Sequence, residues 1–277
     1  MALNSVNTNV GAMIALQNLQ VTNNELSTVQ NRINTGLKVS SAKDNGAIWA
    51  IAQGQRAEIG ALNAVKDSLN RGQSAVDVAL SAGESVSDLL TQLKEKALAA
   101  TDSSLTTSAR SALNEDFKAI RDQIATVVSN AKFNGVNLLD NSTGTGGYKA
   151  LANTTGATIK AAGENLSLGG ANVTVTATTV IGTASQATAA LGLVNASIDK
   201  VSASLARLGT GSKSFSTHLT FVGKLQDTIE AGVGNLVDAD LAKESARLQS
   251  LQTKQQLGVQ ALSIANSSTS ILLGLFR

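Results

Sequence analysis

The sequence feature that most restricts the fold is the C-terminal segment, which combines a helical pattern with an absence of charge. Residues 255–276 contain no Asp, Glu, Lys or Arg, yet amides and hydroxyls interrupt their apolar positions every few residues. This segment is too polar to be a membrane span. Apolar and small residues recur every three or four positions, which predicts one face of a helix. The stripe includes Leu241, Leu248, Leu251, Leu262, Leu272 and Phe276.

The N-terminal segment has the same character, because no charged residue precedes Glu25. Its apolar residues recur at helical spacing, and we expect a helix over residues 1–34 that ends at Asn34-Thr35-Gly36, where glycine allows the left-handed closing conformation. Both ends carry a neutral apolar stripe, so we expect the two termini to pair and further copies of the chain to cover what remains exposed. The N-terminal stripe is formed by Val6, Val10, Met13, Leu19, Leu26, Val29 and Ile33.

Composition favours helices packed on helices over a compact mixed core. Aromatic residues are 3% of the 277 residues, and Pro and Cys are absent. Rings supply much of the bulk in compact cores, whereas Ala and Leu suit close packing between helices. We predict a mainly α fold: long helices in an elongated bundle or coiled coil, with a small β-hairpin insert near the tip and the N- and C-termini paired.

Helical spacing defines further elements between the two ends. It runs from about residue 46 to residue 100, again from 105 to 131, and from Ser185 onward to Gly232-Val233-Gly234, where we expect a break. Asp238 and Asp240 follow that break. A helix N-terminus attracts carboxylates, so we expect them to cap the last helix rather than to bind a cation.

The middle of the chain has a different composition. Residues 140–182 are mainly Gly, Thr, Ala, Asn and Ser, and residues 172–180 alternate with period two after Gly169-Gly170, which predicts a hairpin with residues 166–168. We expect three parts. They are a terminal-helix core domain of residues 1–40 and 235–277, a helical shell domain of residues 41–140 and 185–234, and an outward-facing β-hairpin-rich insert of residues 141–184.

Catalytic and metal-binding chemistry finds little support. With one histidine, His218, and no cysteine, neither a usual hydrolase triad nor a usual zinc site can be assembled. Residues 209–214 look like a phosphate-binding loop only superficially, because Ser212 precedes the lysine and a helix precedes the loop. We predict that the protein is not an enzyme and has no catalytic residues, metal site or cofactor, and that His218 and Trp49 are packing residues.

Other classes of partner are also disfavoured. Binding of nucleic acid calls for a clustered basic stripe with aromatic residues, and this chain, with a net charge of +2, has neither. We expect no insertion into a membrane. The first residues lack a basic region, an apolar region and a cleavage site, so we expect no secretory signal peptide.

Several collinear motifs resemble those of bacterial flagellin. They are residues 4–9 (NSVNTN), 31–46 (NRINTGLKVSSAKDNG) and 133–139 (FNGVNLL) in the first half. In the second half they are residues 238–240 (DAD), Glu244, residues 255–256 (QQ) and 272–277 (LLGLFR). The resemblance covers residues 1–140 and 190–277.

The resemblance implies a structural subunit that polymerises into the flagellar filament for motility. It further implies type III export as an unfolded chain without a cleaved signal peptide, an extracellular location, and a homo-oligomer of many copies. An export chaperone and the hook-associated and cap proteins would be its other partners. The alternative is a hook–filament junction protein of the hook-associated class. A secreted enzyme on a helical scaffold would need a catalytic constellation that these residues do not supply.

One stretch departs from the family pattern. Where many flagellins carry the sequence Gln-Arg-Val-Arg-Glu-Leu, read by an innate immune receptor, this chain has Gln92 and Lys94 at the arginine positions, followed by Glu95. Lysine does not replace arginine in planar two-pronged contacts. We therefore predict weak recognition by that receptor.

Overall fold

Long helices dominate the computed structural model, which describes residues 8–143 and 146–274, with side chains described as far as residue 267. The helices are α1 (Val10–Thr35), α2 (Gly46–Ala100), α3 (Thr107–Asn130), α4 (Ala184–Val237) and α5 (Leu241–Gly274). Four short strands lie between α3 and α4: β1 (Lys132–Phe133), β2 (Val136–Asn137), β3 (Tyr148–Leu151) and β4 (Thr158–Ala161). The predicted mainly α class with a small β insert is confirmed. No described helix is both long and apolar enough to cross a membrane.

The chain divides into two units. Unit 1 consists of residues 1–57 and 228–277, and unit 2 consists of residues 58–227. Unit 1 therefore contains α1, α5 and the adjoining ends of α2 and α4, while unit 2 contains the remainder of those two helices with α3 and the strands.

Within unit 1, the ends of α1 follow local rules. The Asn9 side chain accepts a hydrogen bond from the Ala12 amide and so caps the first turn. Gly36 closes the helix at φ 70°, the left-handed conformation that glycine adopts without strain. The predicted end of the first helix is therefore confirmed, whereas its predicted start at residue 1 is wrong, because Asn9 is an extended cap and α1 begins at Val10.

Backbone hydrogen bonds join the segment that follows α1 to the segment between α4 and α5. The Lys38 amide donates to the Val237 carbonyl (2.7 Å), and the Ala239 amide donates to the Gly36 carbonyl (2.9 Å). Trp49 packs beside this junction on an apolar cluster, as predicted for a core residue. The buried members of the cluster are Val39, Ala52, Val233 and Val237.

Unit 2 is built on α2 and α4, which hydrogen-bond to each other through their side chains. Gln73 Nε2 donates to Ser212 Oγ (2.8 Å), and Gln226 Nε2 donates to Asn63 Oδ1 (2.6 Å). The core between the elements of unit 2 is aliphatic with two phenylalanines. Its largest fully buried side chains include Phe117, Phe215, Leu69, Leu90, Leu93, Ile124 and Leu166.

The hairpins of unit 2 differ from those predicted. The expected hairpin around Gly169-Gly170 is wrong, because that region contains only an isolated parallel bridge between Leu168 and Val173. The side chains of Val173 and Val175 are fully buried, and the Thr174 amide donates to Ser197 Oγ of α4. Tertiary packing on α4 thus takes the place of a strand partner.

The hairpins that form have identifiable turn residues. β1 and β2 are joined by Asn134 and Gly135, both at positive φ, which is the two-residue turn that matches strand twist. Between β3 and β4, Asn153 Oδ1 accepts from the Thr155 and Ala157 amides, and Gly156 has φ 91°. This side-chain turn is a short-range signal that the sequence analysis missed.

The boundary before the last helix also differs. The predicted break at Gly232-Val233-Gly234 is wrong, because α4 continues through both glycines to Val237. Buried Val233 and Val237 hold this turn in the apolar cluster of unit 1, which outweighs the low helix propensity of glycine. Of the two predicted caps, Asp240 accepts from the Ala242 and Lys243 amides at the start of α5. The prediction for Asp238 is wrong, because Asp238 precedes α5 by three residues and forms a backbone bridge with Leu37.

One ion pair within unit 2 joins a buried carboxylate, Glu164, to an exposed guanidinium, Arg207. Arg207 Nε and Nη2 both donate to the Glu164 carboxylate at 2.6 Å. Burial raises the pKa of Glu164, but hydrogen bonds from Arg207, Ser204 and Asn172 outweigh burial and bring the pKa below its usual 4.5. A carboxylate with a lowered folded-state pKa stabilises the fold above its unfolded-state pKa. That contribution is lost as the pH falls through the folded-state value.

Replacing Arg207 by Gln is expected to reduce this acid sensitivity. The urea midpoint of the unmodified chain should fall between about pH 5 and about pH 3 by more than that of the Arg207→Gln variant. Lys118→Gln, which breaks an exposed ion pair with Glu115, is the control and should behave like the unmodified chain. If the urea midpoint of Arg207→Gln fell as much on acidification as that of the unmodified chain, the loss of stability in acid could not be assigned to Glu164.

Candidate assembly surface

The most distinctive surface belongs to unit 1, where α1 and α5 pair in an antiparallel arrangement. Polar contacts define the register along the pair. Asn9 Nδ2 donates to the Ala265 carbonyl (2.7 Å), Gln255 Nε2 donates to Asn23 Oδ1 (2.7 Å), and Arg32 Nη1 donates to Glu244 Oε1 (3.1 Å). The residue numbers rise along α1 as they fall along α5, so one register holds for the whole pair.

The inner face of this pair contains most of the predicted stripe. Val29 is 1% exposed and Leu251 is 2% exposed. Close approach is helped by Gly258, where an added Cβ would lie 3.3 Å from Leu19 Cδ1. The remaining described members of this face are half-buried, namely Leu19, Leu26, Ile33, Leu248 and Leu262.

A second, outer apolar face lies on the same two helices and is exposed. Met13 is 63% exposed on α1, and Ile264 is 69% exposed on α5. The predicted residues Val10 and Met13 belong here and not to the inner face, together with Ile14, Leu16 and Val21 on α1 and Leu257 and Ile264 on α5, which the prediction of a single stripe missed. Leu241 and Val259 are also exposed, but they lie on the same side of α5 as Leu248.

The two faces of α1 point in opposite directions. At about 100° of rotation per residue, the inner positions and the outer positions are centred on opposite sides of the helix. The outer residues line an open groove of about 750 Å³, which Thr8, Gln17 and Gln20 complete without any charge. A signal for this face existed in the sequence, because the segment has more apolar positions than one stripe requires.

Three predicted interface residues cannot be placed in this way. Val6 and Phe276 lie outside the described residues. Leu272 belongs to α5, but its side chain is outside the described part of the chain.

Charge on the pair is concentrated at one end. Arg32 lies in the last turn of α1 and Glu244 in the first turn of α5, where each opposes the partial charge of its helix terminus. The Glu244 carboxylate is buried, and its Oε2 has no hydrogen-bond partner. Among the described residues from Thr8 to Asn24, by contrast, no side chain is charged.

The other predicted positions lie in unit 2. Gln92, Lys94 and Glu95 are exposed on α2, while Leu93 between them is buried. His218 is partly packed, with Nε2 2.6 Å from the Ala152 carbonyl oxygen. Within the described ranges, no cluster of three or more His, Asp or Glu side chains could hold a metal ion.

Comparison with known protein families shows which family has terminal helical regions like these. The model of the bacterial flagellin N-terminal helical region matches residues 6–144. The model of the bacterial flagellin C-terminal helical region matches residues 191–276. The chain belongs to the bacterial flagellin family. The terminal helices of this flagellin, α1 and α5, lie wholly within the two matched regions.

Relatives match this flagellin from end to end. Flagellin FljK of Caulobacter vibrioides is 59% identical over 277 residues, covering 100% of both chains, and FljN of the same organism is 60% identical with the same coverage. The flagellin of Brucella melitensis is 38% identical and covers 99% of both chains. These similarities identify a structural subunit of the extracellular flagellar filament that self-assembles and serves motility, and not an enzyme.

One solved structure has a similar fold. A structure described as a flagellar hook-associated protein from Vibrio parahaemolyticus has a TM-score of 0.56 and 15% identity. It covers 70% of this flagellin and 100% of that chain. At this identity the likeness concerns the fold alone. The relatives that match over the full length of the chain are flagellins, so the junction-protein alternative is not favoured.

Proposed function

We propose that this flagellin polymerises through a division of its terminal helices into two faces. The inner face pairs α1 with α5 inside one copy, and the outer face packs against neighbouring copies. The observation that carries the proposal is the exposed apolar stripe of Val10, Met13, Ile14, Leu16 and Val21, which is opposite to the face that the chain itself covers.

The free energy of burying apolar side chains supports an assembly role for the outer face. Full burial of an aliphatic side chain contributes about 1.5–3 kcal/mol, so five such residues on one helix represent a large driving force for association. An exposed, contiguous apolar patch on a protein surface marks an interaction site. The low charge of both helices favours dense packing of identical copies, since like charges on adjacent copies would repel each other.

The three-part organisation remains our proposal for how a copy is arranged in the filament. Residues 1–40 and 235–277 would form the core, residues 41–140 and 185–234 the shell, and residues 141–184 the outward-facing insert. The α1–α5 pairing is consistent with the first part.

Export and accessory partners complete the proposal. Absence of proline removes slow peptide-bond isomerisation from refolding, which suits a chain that is exported unfolded and without a cleaved signal peptide. An export chaperone is expected to bind the C-terminal segment while α5 lacks its α1 partner. The hook-associated and cap proteins would contact the subunits at the two ends of the filament.

Elongation of seeds tests the proposed function. Purified monomer incubated with short filament seeds should lengthen them until the free monomer reaches a constant critical concentration, as measured by electron microscopy and sedimentation. A protein that binds the seed ends without lengthening them would behave as a junction protein, and this result would contradict the proposal.

Weak immune recognition is a separate expectation. Gln92, Lys94 and Glu95 are accessible on α2. Gln92 and Lys94 stand where many flagellins have arginine, and neither side chain supplies a guanidinium group for two-pronged contacts. In a receptor reporter assay, the protein should be far less potent than a flagellin with the arginine motif. The double substitution Gln92→Arg and Lys94→Arg should raise its potency. Full potency of the unmodified chain would overturn the expectation.

A further inference from the structure

Unit 2 carries an exposed phenylalanine beside a small apolar groove. Phe221 of α4 is 56% exposed, and among the described residues of unit 2 the other exposed large hydrophobic residues are Leu98 and Leu193. We define the Phe221 groove by Ile159 of β4 with Lys213, Thr217, His218 and Phe221 of α4; its volume is about 450 Å³. A partly exposed aromatic anchor beside an apolar depression is typical of a protein interface.

The anchor is positioned by its neighbours. The His218 ring lies 5.8 Å from the Phe221 ring, and His218 Nε2 is 2.6 Å from the Ala152 carbonyl oxygen. The His218–Ala152 contact connects the α4 side of the groove to the loop that follows β3. Less conformational entropy is lost when a pre-positioned ring is buried, so the groove is suited to docking.

A second groove lies between α2 and α3 and shares no residue with the first. We define the α2/α3 groove by Val78, Ser81, Ala82 and Ser85 of α2 with Thr126 and Val127 of α3; its volume is about 470 Å³. Its lining is small and uncharged, with half-buried valines in the floor. Such a depression can accept a bulky ring without leaving a charge unpaired.

The surroundings of the Phe221 groove and of the α2/α3 groove carry opposite charge. Residues 200–226 of α4 contain three lysines and Arg207, whose charge Glu164 already neutralises, and residues 146–163 contain Lys149 and Lys160 with no acidic residue. Residues 72–93 of α2 contain three acidic residues and no basic one, but Asp77 accepts a hydrogen bond from Ser212 of α4 in the same copy, which leaves Glu84 and Asp88. Exposed Glu84 and Asp88 lie on the helix that supplies much of the α2/α3 groove. A basic rim and an acidic rim attract each other and disfavour like-to-like pairing.

We infer that the Phe221 groove of one copy docks on the α2/α3 groove of a second copy, an inference that rests on the proposed function. An open helical filament requires heterologous contacts, in which two different patches of the same chain meet. These two grooves are different patches of the same chain, and the exposed charges beside them are of opposite sign. They add a lateral contact in unit 2 to the contacts of the terminal helices.

Cysteine cross-linking tests the pairing directly, because the chain contains no cysteine. Phe221→Cys and Ser85→Cys chains are mixed, polymerised on seeds and oxidised; the control mixes Ser216→Cys, which is exposed on α4 outside the groove, with Ser85→Cys. Disulfide-linked dimer should be at least about tenfold more abundant in the first mixture, since the bond forms only when Cβ atoms are about 4 Å apart. Filaments without this excess would overturn the pairing and leave the proposed function intact.

Further measurements test the pairing even if the cysteine variants fail to assemble. Phe221→Ala should raise the critical concentration about thirtyfold, as expected for loss of a central aromatic anchor, whereas Leu193→Ala should leave it unchanged. In unmodified filaments, hydroxyl-radical labelling of Phe221 should fall well below that in the monomer. Equal labelling in monomer and filament would refute the pairing, whereas failure of the unmodified chain to elongate seeds would instead count against the proposed function.

Discussion

Replacing Ile14 by Glu is expected to abolish filament formation while α1 remains paired with α5. Ile14 is exposed on the outer face in the single chain, so the new carboxylate is solvated before assembly. In the filament it would be enclosed between apolar side chains without a partner, and burial of an unpaired charge costs several kcal/mol per subunit. Sedimentation should find no polymer, and circular dichroism should find unchanged helix content.

The matched control is Asn18→Glu. Asn18 is also exposed on α1 but does not line the outer groove. This variant carries the same added charge one helical turn away and should still form filaments. If Ile14→Glu polymerised with an unchanged critical concentration, the outer face would not be the assembly surface.

Removing residues 255–277 is expected to have an equally large effect. The deletion takes away the part of α5 that contacts Leu19 through Gly258 and Asn23 through Gln255. The inner face of α1 would then be uncovered, and much of the outer face of α5 would be lost. We expect no polymer by electron microscopy, while the unfolding transition of the core around Phe117 and Phe215 stays unchanged, since that core belongs to unit 2.

A smaller change separates pairing from simple loss of length. Gly258→Leu introduces a side chain whose Cβ alone would lie 3.3 Å from Leu19 Cδ1, so the Leu19 side chain must shift to accommodate the added leucine and the packing at this point is disturbed. Assembly should be weakened at full chain length. Intact filaments from the truncated chain would contradict a core built from paired terminal helices.

The sequence predicted those features that depend on local pattern. Helical spacing and Gly36 placed the end of α1, and the neutral stripes predicted the pairing of the termini. The prediction of one stripe did not separate the two apolar faces of α1, although the segment has more apolar positions than one stripe requires. Val10 and Met13 recur at spacings that a single stripe also permits, and only the α5 partner distinguishes the covered positions from the exposed ones.

The errors occur where tertiary contacts override local propensity. Gly232 and Gly234 suggested a helix end, yet buried Val233 and Val237 keep α4 helical through this turn. Alternation in residues 172–180 suggested a strand, yet its backbone pairs with α4 through Ser197. The hairpin formed instead at Asn153 and Gly156, whose turn chemistry carries a weaker signal than a run of alternating valines.

A near-atomic electron microscopy map of the polymerised protein is the most direct test of the two-faced helix pair. We expect Asn23 to contact Gln255 within one copy, as it does here at 2.7 Å. Side-chain atoms of Met13 and Ile14 should lie within about 4 Å of a neighbouring copy. A map in which these two residues face solvent, or in which α1 pairs with the α5 of a different copy, would contradict the account.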